Sequence, residues 1–167
     1  MAILKEAVHG TRDGKGSILL LLGEPGIGKT RLAKELKNYG RSVGMQVMSG
    51  RCPALFQLGG IPPYSLWVEV IKDYLDTCRP ETLLKVVGPY PQEVSKLVPE
   101  VWRKLEQAKG TKQLGITGWM KGPGPASMSP SPSIGPENER FRLLEAVSKF
   151  IENISSHSSC MILLDDL

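Results

Sequence analysis

The chain has 167 residues, 41% of them hydrophobic and 23% charged, with a formal net charge of +4. These values fit one ordinary globular domain with a sizeable core, and a basic balance this modest does not by itself argue for nucleic acid. Cys52, Cys78 and Cys160 are widely spaced and form no C-x-x-C pair, so neither a disulfide framework nor a zinc site is indicated. No apolar run approaches the roughly 20 residues of a membrane helix and no signal pattern opens the chain, so a reducing cytoplasm is the expected setting.

From the N-terminus, Ile3, Leu4, Ala7 and Val8 recur at helical spacing and predict a short amphipathic helix over residues 2–9, closed by Gly10 and the polar turn 11–16. The continuous apolar run Ile18 to Leu22 then predicts a strand over Ser17–Leu22. Continuity rather than alternation is the signature of a central parallel strand covered on both faces.

Directly after it stands Gly23-Glu24-Pro25-Gly26-Ile27-Gly28-Lys29-Thr30, the pattern G-x-x-x-x-G-K-[ST] between a strand and a helix. A loop that wraps a polyphosphate must bring successive backbone N–H groups within hydrogen-bond distance of phosphate oxygens, and side chains would block that approach. Gly23, Gly26 and Gly28 allow positive φ and close contact. The helix opening at Lys29 aims its unpaired N–H groups and positive dipole end at the anion. In this reading Lys29 reaches the β- and γ-phosphates as a point charge, the Thr30 hydroxyl ligates Mg²⁺, and Arg31 closes the set of nucleotide-contacting positions.

The following helix carries Leu32, Ala33, Leu36 and Tyr39 on one face and stops at Gly40 or Gly44. A second strand over Met45–Met48 leads into Ser49-Gly50-Arg51-Cys52, giving a right-handed strand–helix–strand unit. Residues 53–63 are rich in Gly and Pro and predict a loop. Tyr64–Tyr74 resumes a helical stripe in which Trp67 reads as a core aromatic rather than a base-stacking platform. A short helix near Glu81–Val87 and another from Gln92 to Leu105, interrupted by Pro99, carry no chemistry, and neither do the isolated His9 and His157. Residues 107–136 are dominated by Gly, Pro, Ser and Met, a composition that predicts a flexible insertion. Pro136 opens a helix to about Ser155 with Phe141, Leu144, Val147, Ile151 and Ile154 as its stripe.

The chain closes with Met161-Ile162-Leu163-Leu164-Asp165-Asp166-Leu167, a buried strand whose tip ends in acid. In open α/β sheets ligands bind at such tips. Coupled to the upstream loop, Asp165 is the expected Mg²⁺ acid, and Asp166 is the candidate for polarising the attacking water.

Taken together, Ser17–Ala33, Gly50-Arg51-Cys52, Pro62-Pro63-Tyr64 before Trp67, Glu139-Arg140-Phe141 and Leu163–Leu167 resemble the AAA-type ATPase module of the STAND class. Such modules occur in bacterial multidomain regulators and in cyclase- or kinase-associated ATPases. The resemblance implies a P-loop NTPase of α/β class, a mostly parallel sheet flanked by helices in three layers, with ATP and Mg²⁺ as cofactors. Residues 1–167 then correspond to the N-terminal part of the domain, from Walker A to Walker B. The helical lid and output domains would be partners supplied by a longer protein, and a hydrophobic edge of the first strand is expected to lack its neighbour.

The resulting functional expectation is ATP binding with slow Mg-dependent hydrolysis as a nucleotide switch in signalling or transcription regulation, with nucleotide-dependent self-association as an accompanying feature. A small-molecule phosphotransferase is the alternative, but residues 107–136 contain no Arg to serve a phosphate lid. A DNA-linked remodeller ranks lower because Lys and Arg are scattered rather than arranged in a stripe with aromatics. A non-catalytic truncated remnant is the remaining alternative.

Overall fold

A computed structural model of the chain describes residues 2–51, 64–109 and 136–165. The expected loop 53–63, nearly all of the expected insertion 107–136, and Asp166 lie outside the described residues. The described chain divides into two compact units, Met1–Tyr74 with Ile154–Leu167, and Leu75–Asn153.

The first unit contains helix α1 (Ala2–Arg12), helix α2 (Lys29–Ser42), strand β1 (Gln46–Arg51), most of helix α3 (Ser65–Thr77) and strand β2 (Cys160–Asp165). Gly10 does not end α1 as expected. The helix runs through it, the Thr11 hydroxyl donates to the Ala7 carbonyl at 2.9 Å, and the chain turns at Gly14 with φ 79°. Helix α2 likewise passes through Gly40 and stops at Gly44, whose φ of 82° and N–H to the Arg41 carbonyl make it the terminating glycine.

β1 and β2 pair in parallel, with Gln46 opposite Cys160 and Arg51 opposite Asp165. Leu4, Val8, Leu36, Met45 and Val47 form the core beside this pair, with Leu32, Tyr39, Val43, Met161 and Leu163 packed against it. Tyr39 also ties α2 to α1, because its hydroxyl lies 2.9 Å from His9 Nε2 and the Lys5 ammonium sits 4.7 Å from its ring centroid. His9 is thereby a surface partner of Tyr39.

The expected strand Ser17–Leu22 is the main departure. It is irregular, and Ile18, Leu20 and Leu22 are 99%, 71% and 82% exposed. A strand is defined by its neighbours as much as by its residues. Among the described residues the sheet has two strands, and neither pairs with this segment. The strand–helix–strand unit read from the sequence is therefore not closed.

The second unit is helical: α4 (Pro80–Val87), α5 (Pro91–Leu97), α6 (Glu100–Lys109) and most of α7 (Pro136–His157). Proline occupies the first turn of α4 and α5, where its missing N–H has no helical partner to lose. Pro99 separates α5 from α6 as expected. The core is Leu83, Val86, Val87, Val94, Val98, Val101, Leu105 and Phe150, all nearly inaccessible, and Asn153 Nδ2 donates to the Val86 carbonyl at 2.9 Å.

The buried face of α7 is Ala146, Val147, Phe150 and Ile154, whereas Phe141 is 75% exposed and Leu144 is also exposed. The sequence stripe is thus rotated, because apolar residues occur on more than one face of this helix and tertiary packing selects among them. No helix among the described residues is long and apolar enough to cross a membrane.

Two glycines set the spacing around the sheet. A Cβ at Gly50 would lie 2.5 Å from the Leu66 carbonyl oxygen and 2.9 Å from Val70 Cγ2, and a Cβ at Gly40 would collide with the Met161 methyl group and press on Val47 Cγ2 at 3.0 Å. The Met161 side chain can turn away and alanine gains about 1 kcal/mol of helix propensity over glycine, whereas a backbone carbonyl cannot yield. Gly50→Ala is therefore expected to destabilise by about 1–3 kcal/mol in urea unfolding, and Gly40→Ala by clearly less.

Candidate functional site

The glycine loop leads into α2 with the expected local conformation. Gly26 and Gly28 have φ of 85° and 98°, a region that L side chains rarely adopt, and Gly28 is the residue that opens α2. Gly28 offers no side-chain cap, and Leu32 N–H is bonded to its carbonyl at 2.9 Å. The N–H groups of the preceding first turn have no carbonyl upstream within the helix, which leaves them suited to an anion. Gly23 plays a different part, since a Cβ there would press on Ile27 Cγ2 at 3.1 Å.

Lys29 folds back over the loop. Its ammonium group donates to the Gly23 carbonyl at 2.7 Å and to the Glu24 carbonyl at 3.0 Å. Thr30 faces a cleft of about 230 Å³ that is also lined by Lys37, Ser49, Arg51, Glu69 and Asp165. The structure thus brings Thr30 and Asp165, predicted from segments 135 positions apart, to one cleft. Arg31 stands apart, 86% exposed and paired with Glu35 at 3.5 Å on the outer face of α2. Pro25 and Ile27 lie in the exposed loop, and Asp166 is outside the described residues.

The chain belongs to the AAA ATPase domain family. The family's sequence profile, described as AAA ATPase domain, matches residues 1–167. Neither the curated proteins nor the solved structures searched gave a match. AAA ATPase domains are P-loop NTPases that bind and hydrolyse nucleotide and usually use Mg²⁺, so the glycine loop and the acid-tipped strand of this chain stand in a nucleotide-handling family.

The donors in the cleft fit that metal. A hydroxyl and a carboxylate are hard oxygen ligands, and Mg²⁺ is characteristically held by one or two such protein groups together with substrate phosphates and water. Among the described residues no group of three or more His, Cys, Asp and Glu converges as a metal cage.

Two features escaped the sequence reading. At the cleft mouth, Arg51 Nη2 lies 3.2 Å from Asp165 Oδ2, and the Arg51 N–H donates to Glu69 Oε2 at 2.7 Å. Below it, Asp73 of α3 accepts at one oxygen from the Ser49 N–H at 2.8 Å, the Ser49 hydroxyl at 2.7 Å and the Lys37 ammonium at 2.9 Å. Arg41 lies 3.6 Å from its other oxygen. Nothing local marks Asp73 or Glu69; only their recurrence on one helical face four residues apart could have suggested a joint role.

Burial alone would raise the Asp73 pKa, but the hydrogen bonds from Lys37 and Ser49 and the Lys37 charge outweigh it and hold the carboxyl below its ordinary value. A depressed folded-state pKa contributes stability above the unfolded value near 4, and that contribution is lost as pH falls through the folded value. Asp73→Asn is expected to cost about 1 kcal/mol near pH 7, a figure discounted for the part of the carboxylate that still meets water. The gap between wild type and variant should be flat above about pH 5 and narrow below about pH 4 in denaturant titrations.

Proposed function

We propose that this chain is the nucleotide-binding part of a switch in a larger signalling or transcription-regulatory protein, in which ATP and Mg²⁺ bind between the loop Gly23–Thr30 and Asp165 and slow hydrolysis resets the state. The observation that carries this reading is the shared cleft of Thr30 and Asp165 at the foot of a glycine loop that opens a helix.

The roles follow from the chemistry of each group. The loop amides and the first turn of α2 bind phosphate oxygens, with Gly26 and Gly28 providing the left-handed turns. The Lys29 ammonium exchanges the Gly23 and Glu24 carbonyls for β- and γ-phosphate oxygens. Thr30 and Asp165 hold the metal. Mg²⁺, when bound, neutralises charge on the β- and γ-phosphate oxygens. Asp166, next in sequence to Asp165, orients water and takes its proton as the oxygen attacks the γ-phosphorus and the bond to the β-phosphate oxygen breaks, giving ADP and phosphate.

In this reading Ser17–Leu22 joins β1 and β2 in a fuller three-layer α/β/α domain, of which residues 1–167 are the Walker A to Walker B part. Nucleotide-dependent self-association of the fuller domain belongs to the same proposal. The free thiols Cys78 and Cys160 suit a reducing cytoplasm.

Thermal unfolding tests the binding site. Mg·ATP at about a hundred times its dissociation constant should add about 2.7 kcal/mol, a rise of roughly 5–10 °C for a chain of this size. Lys29→Ala should abolish the rise. Asp166→Asn should retain it and lower turnover about a hundredfold. A rise that persists in Lys29→Ala, with turnover untouched in Asp166→Asn, would overturn the assignment.

A further inference from the structure

The parallel register sets Arg51, the last residue of β1, directly opposite Asp165, the last residue of β2. The Arg51 main chain is anchored by Glu69, which accepts its N–H at 2.7 Å, while its guanidinium lies 3.2 Å from Asp165 Oδ2. Thr30 lines the same cleft. The carboxylate proposed above as the metal acid is therefore held by a cation belonging to the chain. The Arg51 side chain is 56% exposed and the Asp165 side chain 28% exposed. An ion pair so open to water is weak, so a competing cation can displace the guanidinium from Asp165 while the Arg51 N–H stays on Glu69.

We propose that Arg51 is the resident counter-ion of Asp165 and is exchanged for Mg²⁺ when the metal–nucleotide enters. The inference rests on the reading of Asp165 as the metal acid. Mg²⁺ arriving at Asp165 meets a guanidinium already on the carboxylate, and two cations on one carboxylate repel each other. Incoming phosphate oxygens relieve part of that repulsion, because they give the displaced guanidinium an anion in the same cleft, and the remainder still raises the Mg²⁺ demand of the nucleotide-loaded site. Arg51 thereby disfavours metal without nucleotide and couples entry of the two. It is a positioning residue, acting on the metal through Asp165. A plain strand-end clamp between Arg51 and Asp165 would influence folding but leave metal demand alone.

The test uses the full chain and a fluorescent ATP analogue, titrated with Mg²⁺ in wild type, Arg51→Gln, Arg51→Lys, and Arg51→Gln with Asp165→Asn. The analogue is also titrated without metal in wild type and Lys29→Ala, and circular dichroism melting checks that each variant folds. The expected result is an Mg²⁺ midpoint about fivefold lower in Arg51→Gln, the effect of removing an exposed ion pair from the competition. Arg51→Lys keeps the charge and should stay near wild type, and Asp165→Asn should abolish the gain. An unchanged or raised midpoint in a folded Arg51→Gln, with Lys29-dependent metal-free binding intact, overturns the exchange and leaves the nucleotide site standing. Loss of stability alone, without a shift in midpoint, also overturns it in favour of the clamp. Absence of Lys29-dependent binding in wild type overturns the nucleotide site itself, and the exchange with it.

Discussion

One carboxylate fixes the geometry on which the site depends. Asp73 gathers the Ser49 amide and hydroxyl of β1 and the Lys37 ammonium of α2 at a single oxygen, so three elements meet at one point. Ser49 lies two residues before Arg51, and Lys37 lies two turns along α2 from Lys29. Positions on α2 and at the tip of β1 are therefore set by the same anchor. A parallel two-stranded sheet has little intrinsic stability in water. Charge-assisted hydrogen bonds from a helix to its edge supply directional constraint that apolar packing does not.

The packing around this anchor is close on one side and open on the other. Helix α3 approaches β1 so nearly that position 50 has no room for a methyl group. By contrast, Ile18, Leu20 and Leu22 stand in water. Leaving three such side chains unburied forgoes roughly 5–9 kcal/mol, comparable to the whole stability of a typical domain. That segment is the part of the fold with the most to gain from an added neighbour.

The pattern of what could be read in advance follows from the range of the interactions involved. The glycine loop was legible because its determinants are local: two left-handed residues, a helix start, and a lysine that returns to its own loop. Helix positions and the stops at Val87 and at Pro99 were equally local. Ser17–Leu22 has the composition of a central strand, yet strand formation depends on partners that no window of sequence contains. The buried face of α7 was misassigned because Phe141 and Ile151 are as apolar as Phe150, and only packing distinguishes them. Arg51, Glu69 and Asp73 gain their meaning from the register of β1 with β2 and from the seating of α3, contacts that span from 18 to 114 positions.

The lysine of the loop carries one further consequence. With its ammonium group on the Gly23 and Glu24 carbonyls, the loop is a ring closed by its own cation. Under the proposed function, an arriving phosphate does not meet a bare charge. What it gains is the difference between an anion and two carbonyl dipoles as partners for the same ammonium group, a margin that rewards concentrated negative charge and gives little to weakly charged solutes. In the proposed nucleotide site, that ring sets a threshold on charge density at the entrance.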